Sequence, residues 1–390
     1  MTVKILQGNC LDKLKDLPEQ SVNTCITSPP YWGLRDYNGE EKQLGMEDTP
    51  EEFVDNLVKV FREVKRVLRD DGTVWLNLGD SYISGKSRYS TKEQTLAGGG
   101  KNEKKLGKLQ RGGKKDLYGH PFYKDKDLAG IPWRVALALQ ADGWYLRQDI
   151  IWHKLNPMPE SVKDRCTKTH EYIFLLSKCP KYYFDNEAIK EDCIGKDERK
   201  WSDSYDNVGS IIQGDTNADI KRTKRYSKDG NFKRNKRSVW TVTTKPFKDA
   251  HFATFPMDLI EPCVLAGCPE KICVDCGKPY KRVMQKPKQL EVERNKRSGL
   301  DDRKVGGVLD KYNRENPPKD LGMQKQCDCK TNETKPGTVL DPFGGSGTTG
   351  IVANNHNKNA ILIELNKEYI EIATERLNKE CGMFLNLIVN

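Results

Sequence analysis

Apolar positions along this 390-residue chain follow two spacings, one of two residues and one of three to four, and the switches between them predict most of its elements. VKILQGNCLDKLKDL at the start reads as a strand, a turn and a short amphipathic helix, and Asn23 to Thr27 reads as a short buried strand. From Pro50 to Leu68 the spacing is helical, with Phe53, Leu57, Val60, Phe61, Val64 and Leu68 on one face. Asp71 and Gly72 stop that helix, and TVWLNLGD is the next strand. IPWRVALALQADGWYLRQDIIWHKLNP predicts a helix, a glycine stop and a strand, and HEYIFLLSK with KYYFD predicts a strand hairpin. Near the end, Thr338 to Leu340 forms a strand, Thr348 to Asn354 a helix, and Ala360 to Ile363 a further strand closing in Glu364. Strands alternating with helices in this way make an α/β sheet covered on both faces.

Three polar stretches interrupt the pattern. Ser84 to Lys126 holds twelve Lys and Arg against four acids, with AGGG and RGG inside it, a composition that buries too little to order itself and suits contact with phosphates. Residues 191 to 237 end in IKRTKRYSKDGNFKRNKR, where Lys221, Arg222, Lys224, Arg225, Lys233, Arg234, Lys236 and Arg237 are interleaved with Tyr226 and Phe232. Cations with rings between them are the composition of a nucleic-acid surface, so this is the expected target-recognition region. The third stretch, 271 to 333, carries a group of cysteines. The resulting expected organisation is a single catalytic domain in pieces, 1–83, 127–190, 238–270 and 334–390, interrupted by 84–126, 191–237 and 271–333.

The formal net charge of +10 agrees with a polyanionic partner such as double-stranded DNA. The start, MTVKILQGNC, has no long apolar segment, and no later run reaches the length of a membrane span, so the expectation is a chain of the cytoplasm. In that compartment twelve cysteines point to metal before disulfides.

Candidate chemistry concentrates in two loops. In TVLDPFGGSGTTG, a strand ends in Asp341, passes Pro342, Phe343 and the run Gly344, Gly345, Ser346, Gly347, and enters a helix at Thr348. Such a turn brings the backbone close to a nucleotide-like ligand, and it lacks the Lys-Ser/Thr ending of a triphosphate loop. An acid in front of it suits a ligand bearing an ammonium, and Glu364, twenty residues beyond Gly344, stands where a ribose-hydroxyl acceptor belongs. The other loop is Ser28, Pro29, Pro30, Tyr31. Its prolines fix an extended path without competing N–H groups. Ser28 and the Pro29 carbonyl can then accept from one amino group, while Tyr31 offers a ring for a flat heterocycle.

DPFGGSGTTG together with TSPPYWGLRDY resembles the S-adenosylmethionine-dependent DNA amino-methyltransferases, which methylate cytosine N4 or adenine N6. The resemblance extends through the middle of the chain. With the SPPY loop first and the glycine loop last, it is of the circularly permuted beta order and implies a Rossmann-like methyltransferase sheet. It further implies S-adenosylmethionine as cofactor, bound by Asp341 to Thr348 and Glu364, with Phe255 and Pro256 of HFATFP as one wall of the pocket. The SPPY residues would be catalytic, and serine at the first position favours cytosine N4 over adenine N6. A cognate restriction endonuclease is a partner that the resemblance admits, with the chain a monomer or homodimer.

Several residues carry competing readings. Asp80, at the end of a strand, is either a member of the site or a loop-capping acid. His153 and His170 are read as hydrogen-bonded structural residues, because amino methylation needs no dedicated histidine base. The pair Pro262–Cys263 evokes the cysteine nucleophile of 5-methylcytosine enzymes, but Cys263 lies within an apolar helix and reads as an inert buried thiol. Cys273-x-x-Cys276 followed by glycine, with Cys327-x-Cys329 beyond it, supplies four thiolates for one structural zinc, Cys268 being a possible substitute. The segment between those pairs, Gln285 to Lys325, reads as a charged loop. A DNA-binding protein with a dead methyltransferase fold, and methyl transfer to RNA, are the rival functions; the intact loops weigh against the first, and no RNA module supports the second.

Overall fold

The computed structural model describes residues 1–33, 43–83, 120–157, 159–192, 233–244, 255–285, 316, 318–382 and 385–390. Its centre is a nine-stranded sheet whose order, once the strands are numbered along the chain, is β15-β1-β14-β13-β2-β3-β5-β4-β8. The N-terminal strand β1 (Thr2–Gln7) lies between two strands of the C-terminal part, β14 (Asn359–Glu364) and β15 (Asn386–Val389), parallel to both. That insertion is the physical form of the permuted order: the two ends of the chain complete one half of the sheet.

β2 (Val22–Thr27) is buried at every position, as befits a central parallel strand covered on both faces. It pairs in parallel with β3 (Leu68–Leu78) on one side and with β13 (Thr338–Asp341) on the other. β5 (His170–Ser177) runs antiparallel to β3 and to β4 (Tyr145–His153), and β4 carries β8 (Val239–Thr241) at the edge.

Alternation along the strands splits the core in two. Val74, Leu76, Leu78 and Leu340 face α1 (Cys10–Lys15), α2 (Pro50–Val67) and α3 (Ile131–Ala141), whereas Trp75, Val339 and Leu362 face α4 (Met257–Gly267), α5 (Thr348–Asn355) and α6 (Lys367–Cys381). α2 begins where its residues say it should: Thr49 caps it by accepting from the Glu52 amide at 3.2 Å, and Pro50 sits in the first turn.

The structure departs from the sequence reading in three places. α2 ends at Val67, and Leu68, though fully buried, belongs to β3, which continues past Asp71 and Gly72 with an irregularity in its pairing to β2 between Leu68 and Thr73. KYYFD is not a strand: β5 finds its partners in β3 and β4, and the segment after it makes single bonds, Tyr183 N–H to the Asp71 carbonyl and Asp185 N–H to the Ala266 carbonyl. The presumed loop Gln285 to Lys325 is bounded by an antiparallel hairpin of β10 (Lys281–Gln285) and β11 (Lys319–Gln324). Arg282 ties that hairpin to the catalytic body through Asp185 at 3.1 Å. Two further short pairs complete the described strands, β6 (Glu191–Asp192) with β7 (Lys233–Arg234) and β9 (Ile272–Cys273) with β12 (Thr334–Lys335).

Candidate active site

From β13 the chain steps through α5 to β14 on one side of the sheet, and from β2 it steps through α2 to β3 on the other. The gap between the ends of β2 and β13 is therefore a topological switch point, where a sheet of this kind receives its ligand. Both candidate loops leave the sheet there. Val339 is in register with Thr24 and Leu340 with Cys25, so Asp341 falls level with Ile26, one residue before Thr27.

Asp341 is 1% exposed, and its carboxylate is held from three directions. Thr27 donates to one oxygen at 2.6 Å, Thr349 to the other at 2.6 Å, and the Phe343 amide to the first at 3.1 Å. Burial pushes this carboxyl up to about 6, against the opposing pull of those bonds. The turn that follows is closed by Gly344 N–H to the Ile363 carbonyl at 2.8 Å and Gly347 N–H to the Gly344 carbonyl at 2.9 Å. Gly345 takes a φ of 50° and Gly347 one of 80°, a region open to glycine at no steric cost. The space beside Gly345 is open: the nearest atom to a Cβ built there would be the Phe343 carbonyl oxygen at 3.9 Å.

Glu364 ends β14 across from that turn. Its two oxygens accept from the amides of Gly345 (2.8 Å) and Asn366 (2.9 Å), and burial raises its pKa despite those bonds. Each carboxylate oxygen has a second lone pair, which leaves acceptor capacity for a hydroxyl. An open glycine turn beside a carboxylate at a switch point fits the nucleoside end of S-adenosylmethionine. Phe255 is half-buried and Pro256 buried at the start of α4, which packs on α5 behind the glycine turn. Sequence reading missed Arg376 of α6, whose guanidinium donates to the Ser346 carbonyl (3.0 Å), the Ser346 hydroxyl (2.9 Å) and the Thr348 hydroxyl (3.0 Å). Nothing in a helical run marks one arginine as the clamp of a loop thirty residues earlier.

Across the switch point, Ser28, Pro30 and Tyr31 are half-buried and Pro29 is buried. The Tyr31 hydroxyl donates to Glu171 of β5 at 2.7 Å, and its ring packs on Gly79, where an added Cβ would stand 2.4 Å from the ring. Asp80 accepts from the Ile131 amide at 3.0 Å and from the Ser81 amide at 2.9 Å, which is the capping arrangement for α3. His153 and His170 face each other across β4 and β5; His153 meets the Thr241 hydroxyl at 3.2 Å, and burial lowers the pKa of His170. Cys263 is 1% exposed inside α4 and burial raises its thiol far above the usual range, which removes it as a nucleophile.

The sulfur atoms of Cys273, Cys276, Cys327 and Cys329 lie within 4.8 Å of one another. Four sulfurs around a tetrahedral ion at about 2.3 Å stand about 3.8 Å apart, so the set needs only a small contraction to hold zinc. Backbone amides, that of Cys276 first, hold the Cys273 thiol down to about 7, while its neighbours, Cys276 first, push the Cys329 thiol up to about 12, so the thiols titrate as one group. Cys268, buried at the end of α4, is not in the cluster.

Of the expected DNA contacts, Lys221, Arg222, Lys224 and Arg225 lie outside the described residues. Arg234 and Arg237 both donate to Glu191, at 2.9 and 2.6 Å, while Lys236 stands 5.1 Å from the Trp240 ring centre and Lys233 is exposed on β7. Two arginines on one carboxylate leave a net positive charge at this point. Among the described residues, no helix is long and apolar enough to cross a membrane.

The DNA methylase family of N6/N4 amino-methyltransferases matches residues 22–276 and 288–375, both loops included. The chain belongs to this family. As a DNA methylase it is an S-adenosylmethionine-dependent DNA amino-methyltransferase. Relatives align over nearly the whole of it: the type II methyltransferase M.Cfr9I of Citrobacter freundii is 38% identical over 377 residues, covering 96% of this chain and 88% of that protein. M.SmaI of Serratia marcescens is 36% identical over 377 residues, 96% and 90% of the two chains. In structure, the methylase resembles PvuII DNA methyltransferase (cytosine-N4-specific) with a TM-score of 0.50 and 15% identity over 96% of this chain and 87% of that one, a likeness of fold.

Proposed function

We propose that this methylase transfers the methyl group of S-adenosylmethionine to N4 of a cytosine flipped out of duplex DNA. The observation that carries the reading is the meeting of the SPPY and glycine loops at the β2–β13 switch point, joined by Thr27 and Asp341. S-adenosylmethionine, when bound, supplies an electrophilic methyl on its sulfonium. Asp341 and Arg376 hold the turn from Pro342 to Thr348 in shape for it, Glu364 accepts from the ribose, and Phe255 with Pro256 walls the pocket.

An amino group within a duplex cannot be reached in line with a methyl donor, so the base leaves the stack. Tyr31 receives the flipped ring. Ser28 and the Pro29 carbonyl accept from its amino group and draw the nitrogen lone pair out of conjugation, and Pro30 keeps the loop extended. Nitrogen then attacks the methyl, the carbon–sulfur bond breaks, and the amino proton leaves to solvent. No covalent enzyme intermediate forms, so positioning carries much of the rate. Serine at position 28 favours cytosine, through the family resemblance.

Cys273, Cys276, Cys327 and Cys329 hold one structural zinc, and the catalytic domain comprises 1–83, 127–190, 238–270 and 334–390, with the stretches between them as insertions. The basic insertions hold DNA phosphates, Lys233 and Lys236 among them. A restriction endonuclease of the same site is the natural companion, in the cytoplasm of the host.

Single-molecule sequencing of DNA from cells expressing the protein tests the reading. N4-methylcytosine at one defined site is expected. N6-methyladenine would move the target to adenine, and 5-methylcytosine or unmodified DNA would overturn the mechanism.

A further inference from the structure

The antiparallel strand β5 enters the sheet at the edge where β2 and β3 leave it. Leu78 pairs with Tyr172, so Glu171 falls level with Gly79, beside the SPPY loop. Ile173 and Leu175, on the same face of β5 as Glu171, are core residues, so a carboxylate here is out of pattern. Its side chain is only 14% exposed.

Donors from three other elements converge on it. Tyr31 donates its hydroxyl to one oxygen at 2.7 Å, Lys154 beyond β4 bonds to the other oxygen, and the Asn77 amide of β3 lies 3.4 Å from the first. The Tyr31 hydroxyl has one proton, and Glu171 at 2.7 Å takes it ahead of the Asn77 carbonyl oxygen at 3.4 Å. A half-buried ion pair such as Lys154–Glu171 gains little stability over apolar side chains of the same size. Its effect falls instead on the phenol: Tyr31 is gripped at its hydroxyl and packed along its ring on Gly79, which restricts how the ring can turn.

We propose that Glu171, neutralised by Lys154, is a positioning residue that sets the Tyr31 ring for the target base through the Tyr31 hydroxyl. The inference rests on Tyr31 being the base platform. It predicts a dependence that a stabilising role would lack: removing the carboxylate matters only while Tyr31 keeps its hydroxyl.

The test is a double-mutant cycle of single-turnover methylation rates on a duplex carrying the site found by sequencing, with S-adenosylmethionine affinity measured alongside. Glu171→Leu should slow transfer about tenfold, and Glu171→Gln, which keeps an uncharged acceptor, about threefold, with cofactor affinity unchanged. In the Tyr31→Phe background the same changes should cost less than about twofold. Equal losses in the two backgrounds, or no loss in either, would overturn the proposal. If Glu171→Leu does not fold, Glu171→Gln in both backgrounds gives the same comparison. Tyr31→Ala separates the two levels: a wild-type rate there would defeat Tyr31 as platform, whereas a severe loss alongside additive Glu171 effects would defeat this inference alone.

Discussion

The Thr27 hydroxyl donates to Asp341 across 2.6 Å, joining residues 314 positions apart in the chain. One sits where β2 gives way to the SPPY loop and the other where β13 gives way to the glycine loop. The two candidate loops therefore share a buried bond at their root, so the sheet itself holds them in register.

The cofactor loop should fail as a unit. Asp341→Ala frees Thr27, Thr349 and the Phe343 amide together, and Gly345→Val places a β-branched residue at a φ of 50° that such residues avoid. Either change should abolish S-adenosylmethionine binding in calorimetry while DNA affinity, carried by phosphate contacts, stays within about twofold. Unchanged cofactor affinity in both variants would remove this loop from the pocket.

Asp341 also gives the fold a pH dependence of definite sign. Burial raises its carboxyl from 3.8 to about 6, so between those values the folded state keeps a proton that the unfolded chain has lost. Its contribution is fully present below the lower value and is lost as pH rises through the higher one. Two units correspond to about 3 kcal/mol as an order of magnitude. Between pH 4 and pH 7 the wild-type protein should lose stability relative to Asp341→Asn by on the order of 1 to 3 kcal/mol, measured by unfolding at each pH. A constant difference, or a gain toward neutral pH, would contradict the assignment.

The cysteine cluster predicts about one zinc per purified chain by metal analysis. Cys273→Ser with Cys276→Ser should lose the metal and expose the insert to proteolysis, since metal affinity and local folding are linked. Folded, active protein without zinc would rule the ion out.

The candidate loops were more legible in the sequence than the scaffolding behind them. Both loops stand out because glycine and proline restrict the backbone in recognisable ways, and the four cysteines because knuckle spacing is fixed by metal geometry. Glu171 and Arg376 did not stand out, for each lies in an ordinary strand or helix and acquires its role from a partner far along the chain. KYYFD misled because aromatic composition describes a half-buried surface, and that surface can be a loop laid against α4 as well as a strand. The boundary at Leu68 was misplaced because a buried leucine fits the apolar face of a helix and the interior of a parallel strand equally well. Lys221 to Arg225 fall outside the described residues, and composition alone speaks for them.

In the proposed reaction Ser28 is where the donor, the acceptors and the choice of base meet, so it carries the most direct test. Ser28→Ala removes one acceptor at the reacting nitrogen and leaves the Pro29 carbonyl and Tyr31 in place. Loss of one such bond costs roughly 1 to 3 kcal/mol, so the single-turnover rate of methyl transfer should fall about tenfold to a hundredfold, with DNA affinity nearly unchanged and the product still N4-methylcytosine. A Ser28→Ala enzyme that transfers at the wild-type rate, or a product methylated on ring carbon 5, would contradict the account.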